Sequence, residues 1–249
     1  MSIADQIVQR LSAEIKARPC GEYGEILFDD EQFRHQLEPS IFLEPEPDVF
    51  QASEHPQIVQ EYAEHPTLLG IYVPMHSPGR VILIERNLRR FYWSLIARLR
   101  HRLPYLFPHD LEGAAQLVIQ KTYQHERFHF HCDVLRQLLG GYYDRLHEEA
   151  LAVAWSRLWI SDQAWNTKIK RMNQALYHGL MENAYAYRSA GYRDWIHYAD
   201  SARFAPALLE YLDGSANLSR LISNGVSNLP DIFMRMVGGI AGGCVEEIV

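Results

Sequence analysis

Residues 122–133 read Thr-Tyr-Gln-His-Glu-Arg-Phe-His-Phe-His-Cys-Asp, inside a run from Leu111 to Leu139 that has no proline and one early glycine, Gly113. The run stops at Gly140-Gly141. Such a stretch predicts one long helix, with Asp110 as its cap. On a helix, residues i and i+4 share a face with β-carbons about 6 Å apart, so the imidazoles of His125 and His129 can reach one metal ion. Glu126 is turned by roughly 100° from His125, the offset of a carboxylate beside the metal rather than on it. His131 falls off that face and reads as packed or exposed. Cys132 reads as a small buried hydrophobe. Asp133 reads as either a carboxylate orienting a ligand or a surface acid.

A catalytic zinc site takes a third protein ligand and keeps one position open. Beyond the glycine break, Asp144–Ile160 predicts a second helix carrying His147, Glu148 and Glu149. Glu149 follows His129 by 20 positions, enough chain to finish one helix, turn and return with a carboxylate beside the two histidines. Ala150 and Ala152 are small enough to let the helices approach closely.

Upstream, Leu68–Met75 and Arg80–Asn87 are β-rich and flank His76-Ser77-Pro78-Gly79, which predicts a hairpin. Arg89–Arg102 alternates arginine with aromatic and aliphatic residues as an amphipathic helix does, and Pro104 and Pro108 close it. Downstream, a third helix capped by Ser161 or Asp162 is expected to run to about Ala190. Shorter helices are expected at 192–213 and 229–237. The tail from Val237, with glycines at 238–239 and 242–243, predicts neither helix nor strand. At the other end, residues 1–18 read as a helix ending at Pro19-Cys20-Gly21. Residues 19–66, rich in Glu, Asp and Pro, read as an irregular arm with one short strand at Glu25–Phe28. The expected division is an N-terminal helix and arm, 1–66, and a main domain, 67–249. The fold class is α+β, predominantly helical.

Composition bounds the function. The 249 residues are 47% hydrophobic and 22% charged, which excludes wholesale disorder and a coiled coil. Acidic residues outnumber basic ones 31 to 24, for a net charge of −7, so a nucleic-acid partner is not expected. The cluster Arg86–Trp93 reads as a solvated helix face with an aromatic core side. Three widely spaced cysteines form no disulfide framework and favour a reducing compartment. The N-terminus has no secretory pattern, and no run approaches 18 apolar residues, so a cytoplasmic protein without a membrane span is expected.

His125-Glu-x-x-His129 followed by Glu149-Ala-x-Ala resembles the gluzincin branch of zinc metallopeptidases, the thermolysin type. Glu148-Glu149-Ala150-x-Ala152 is similar to the third-ligand helix of ImmA/IrrE-type peptidases. The resemblance covers the order of elements over residues 68–190 and about a dozen positions at residue level. It implies a zincin-like fold and one Zn²⁺ per chain on His125, His129 and Glu149, which it favours over Glu148 and His147. It further implies Glu126 as general base toward a zinc-activated water, and His178 or Tyr185 as oxyanion donor. The substrate would be a dedicated intracellular protein or peptide, with the hairpin 68–86 lining the cleft. Thermolysin-like enzymes place an Asp four residues after the third ligand. Position 153 is Val here, so a different group must orient the histidines.

Two other classes fit parts of the pattern. A ferritin-like di-metal protein of iron or manganese would use Glu126-x-x-His129 and Asp194-x-x-His197 with Glu149 and Glu182, leaving His125 idle. A non-catalytic, zincin-shaped interaction protein would have no need of Glu126.

Overall fold

The structure is a computed structural model that describes residues 1–29, 68–73, 79–103, 105–139, 143–162, 167–213 and 244–249. It is mostly helical with one small sheet. Helix α1 (Ile3–Lys16) starts at a reciprocal cap: Ser2 Oγ accepts from the Asp5 amide at 3.1 Å, and the Asp5 carboxylate accepts from the Ser2 amide at 3.2 Å. Its apolar stripe, Ile3, Ile7, Leu11 and Ile15, is buried in the same core as the helices that follow.

Strands β1 (Gly70–Val73) and β2 (Arg80–Leu83) pair antiparallel, with Gly70 opposite Leu83 and Val73 opposite Arg80. This is the predicted hairpin with a shorter second arm, because residues 85–87 already belong to the helix that follows; the turn at 74–78 lies outside the described residues. Helix α2 (Glu85–Leu99) continues as a single 3₁₀ turn, Arg100–Arg102.

Helix α3 (Pro108–Leu139) has 32 residues and is about 48 Å long at 1.5 Å per residue. It starts earlier than expected, and Asp110 is within its first turn rather than at its cap. One Asp110 oxygen accepts from the Phe107 amide at 3.0 Å, and the other from the Asn173 amide at 2.7 Å. Helix α3 is covered on several sides, by α1, α2, the hairpin and later helices, so its apolar residues do not keep to one stripe. That wrapping makes the histidine segment interior.

Helix α4 (Arg145–Ser161) is capped by Asp144 and packs on α3. The expected third helix is broken into α5 (Thr167–Arg171) and α6 (Gln174–Asn183). The break has a local cause. Asn173 Oδ1 accepts from the Ala175 and Leu176 amides, which starts a new helix, while its own amide is taken by Asp110. A 3₁₀ segment, Tyr192–Tyr198, and helix α7 (Ser201–Asp213) follow; the expected helix at 229–237 lies outside the described residues.

Two expectations are corrected. The tail forms strand β3 (Val245–Ile248), parallel to β2, with Arg80 opposite Val245. The glycines precede this segment, and Val-Glu-Glu-Ile is held as an edge strand by its pairing with β2 and by side-chain contacts of its two glutamates. Arg80 Nη2 donates to Glu247 Oε2 at 2.6 Å, and Tyr123 of α3 donates to Glu246 at 2.5 Å, which ties the strand to the core. At Glu25–Phe28 there is a single bridge, Cys20 to Ile26, in place of a strand, because the Ile26 amide bonds the Leu106 carbonyl. Among the described residues no helix is long and apolar enough to cross a membrane.

Candidate metal centre

Helix α4 turns back on α3 and brings Glu149 against the two histidines. All three residues are buried. His125 Nε2, His129 Nε2 and Glu149 Oε2 form a triangle in which every edge is 3.2 Å. Hydrogen bonds alone do not explain that figure. Each ring nitrogen carries either one proton or one lone pair, and an ionised carboxylate carries no proton, so three mutual contacts cannot all be satisfied. Tetrahedral zinc with ligand bonds of about 2.0–2.1 Å separates neighbouring donor atoms by about 3.3 Å. The donor set, two imidazoles and a carboxylate, is also one that zinc uses. The residues fit a metal ion, and among the described residues this is the group of His, Cys, Asp and Glu side chains that gathers around one point.

The histidine geometry is fixed from behind. His129 Nδ1 donates to Glu148 Oε1 at 2.8 Å. Glu148 Oε2 in turn accepts from Arg136 and from the Tyr211 hydroxyl. Asp133 holds the other end of Arg136 at 3.6 Å and accepts from the Tyr72 hydroxyl of β1 at 2.6 Å. A carboxylate on the outer nitrogen sets the tautomer and leaves Nε2 to face the metal. Glu148 supplies what Val153 does not. Neighbours on a helix point about 100° apart, so Glu149 reaches the front of the cluster while Glu148 reaches its back.

The charges respond accordingly. Burial alone would raise the carboxyl of Glu149, but the histidines beside it hold it well below the usual range. His129 is pushed up against its own burial by Glu149 and Glu148, whereas burial lowers His125. Burial and the nearby Arg127 depress His131 to about 3, and burial raises the Cys132 thiol.

Glu126 is buried one residue beyond His125. Strand β1 passes hard against it: a Cβ added at Gly70 would lie 2.9 Å from Glu126 Cγ and 3.0 Å from Oε1. A cavity of about 40 Å³ lies here, lined among others by Gly70, Lys121, Thr122, His125, Glu126 and Tyr192. The Tyr192 ring stacks on His125 at 5.6 Å between centroids. It is delivered by Gly191, whose φ of +81° favours glycine and where a Cβ would sit 3.3 Å from Glu149 Cβ.

The two residues expected as oxyanion donors lie elsewhere. His178 is exposed on α6 with its ring against Tyr177. Tyr185 lies past the end of α6, buried near Ser156 and Trp195, and does not line the cavity. The tyrosines that line it are Tyr187 and Tyr192. Nor do the residues of the di-metal alternative come together. Asp194 accepts from the Gly191 amide at 3.0 Å, and the group that does gather contains His125, the residue that reading leaves idle.

Sequence reasoning missed Lys121 and the contact that Glu148 makes behind His129. Glu148 was legible only as a neighbour of Glu149. Lys121 gave a weak signal, one helical turn before His125 on the same face. Comparison with family models, with curated proteins and with solved structures gives no match to this chain.

Proposed function

We propose that the chain is a zinc-dependent peptidase of zincin-like layout that hydrolyses a peptide bond, with His125, His129 and Glu149 as the metal ligands. The observation that supports this reading is the buried triangle of 3.2 Å edges beside a cavity that contains Glu126. Zinc, when bound, supplies Lewis acidity to the reacting carbonyl. The Glu126 carboxylate, held in place by β1, takes a proton from the attacking water at Oε1 and returns it to the leaving amine. The Tyr192 hydroxyl, on a ring fixed against His125, bonds the Glu149 carboxylate and would have to turn from it to support the developing oxyanion. Strand β1 has no partner on its outer side among the described residues, so an extended peptide can add there and run past Glu126.

The intact Glu126 favours catalysis over a purely structural zinc site, which has no use for a general base. Glu126→Gln separates the two. The variant is expected to keep zinc and lose peptide turnover, measured on a peptide library by mass spectrometry. Turnover equal to wild type would defeat the catalytic role.

A further inference from the structure

The cavity beside Glu126 holds two polar groups that the proposed chemistry does not use. Lys121 is buried, and its ammonium is surrounded by aromatic rings. Nζ lies 4.9 Å from the ring centre of Tyr187, 5.3 Å from Tyr185 and 5.4 Å from Phe91. Among the described residues it makes no hydrogen bond and no close ion pair. Thr122 is buried beside it, and its hydroxyl has no hydrogen-bond partner among the described residues. The buried Thr122 hydroxyl, left without a partner among the described residues, is costly, and such groups are normally satisfied by protein, water or ligand; the Lys121 ammonium lines the same cavity.

Charge and space indicate what would satisfy them. With a divalent ion at the metal centre, Glu126 and Glu149 together offset its charge. Arg136 balances Glu148. Glu126 is the one charge that holds Lys121 up against its burial, and once Glu126 is counted toward the ion, no other carboxylate among the described residues acts on Lys121. Water-sized groups need about 10–15 Å³ each by this measure. The cavity of about 40 Å³ therefore takes roughly three or four, the size of a carboxylate group but not of a bulky side chain. Burial lowers Lys121 to about 7, and a nearby anion would restore its charge.

We propose that Lys121 and Thr122 form a carboxylate-binding subsite, so that the bond presented to the metal centre belongs to a peptide with a negative charge beside the cut. This rests on the peptidase reading for its substrate, but not for the subsite itself. The carboxylate comes either from a free C-terminus or from an Asp or Glu side chain.

The test uses zinc-loaded protein with its lysines labelled at ¹³Cε. The chain has four lysines, 16, 121, 168 and 170, so Lys121 is assigned by the signal missing in Lys121→Met. Titration with acetate is expected to shift the Lys121 signal saturably, and the neutral isostere acetamide is expected not to. By calorimetry, Lys121→Met should weaken acetate at least tenfold, and Thr122→Val should weaken it less. Zinc content is measured on each sample. Acetate affinity retained in a folded, zinc-loaded Lys121→Met, or an equal response to acetamide, overturns the subsite. If Lys121→Met fails to fold, the wild-type signal decides, and a Lys121 that is silent to acetate overturns the proposal.

Three peptides then identify the source: one with a free C-terminus, its amide, and the amide with an internal Glu. Preference for the first assigns an α-carboxylate, preference for the third a side-chain carboxylate, and equal cleavage of all three overturns the proposal. A Lys121 response without turnover supports the subsite while defeating the peptidase reading. Turnover without a response does the reverse.

Discussion

The two sides of helix α3 at the candidate metal centre are built on opposite principles. Behind His129, every polar group leads to another: His129 to Glu148, Glu148 to Arg136 and Tyr211, Arg136 to Asp133, and Asp133 to Tyr72. In front of His125, Lys121 and Thr122 end in a cavity. Both sides are buried, so exposure does not account for the contrast. A closed network holds its members in one geometry, which suits the orientation of a metal ligand. An open set of donors and acceptors is costly to maintain and suits a place where a ligand completes it.

The contrast breaks most severely where both sides meet. Glu149→Ala removes a proposed ligand, and zinc binding is expected to fall below detection in a competition titration with a chromophoric chelator. The thermal midpoint of that variant should no longer respond to added zinc, whereas wild type should be stabilised in proportion to ligand excess. Glu148→Gln attacks only the closed side. It keeps the shape but weakens the acceptor on His129, so zinc affinity should fall about 10- to 100-fold. An unchanged affinity would mean that the network does not orient the ligand.

Gly70→Ala tests the open side. The new Cβ would lie 2.9 Å from Glu126 Cγ, so β1 or Glu126 must shift. Overpacking of this kind costs about 1–3 kcal/mol, and peptide turnover should fall while zinc affinity stays near wild type. A drop in zinc affinity as large as the drop in turnover would contradict the separation of the two sides. Tyr72→Phe is the mildest change. It removes one hydrogen bond at the far end of the closed network, for about 1 kcal/mol in urea unfolding and at most a small loss of zinc affinity.

The same division explains what the sequence disclosed. Helix α3, helix α4, the hairpin and the shared face of His125 and His129 rest on local rules: spacing of i and i+4, a break, a turn. The break at Asn173 depended on Asp110 from another helix, a contact 63 positions away that no local pattern carries. Strand β3 depended on a neighbour, β2, far off in the chain; its four residues are too short to declare themselves. Glu148 illustrates the limit within the site. Both glutamates were visible, yet which one faced the metal and which one faced His129 Nδ1 required the packing of two helices. Lys121 was hidden for a different reason, since a lysine on a helix reads as a solvated charge until the walls around it are known.

The proposed function requires one zinc ion on two imidazoles and a carboxylate. Zinc-edge X-ray absorption on the reconstituted protein tests it directly. The expected spectrum shows one zinc per chain, two imidazole nitrogens and further light oxygen ligands at about 2.0–2.1 Å, and no sulfur. Failure to bind zinc, a sulfur shell near about 2.3 Å, or the same spectrum from His129→Ala would contradict the account.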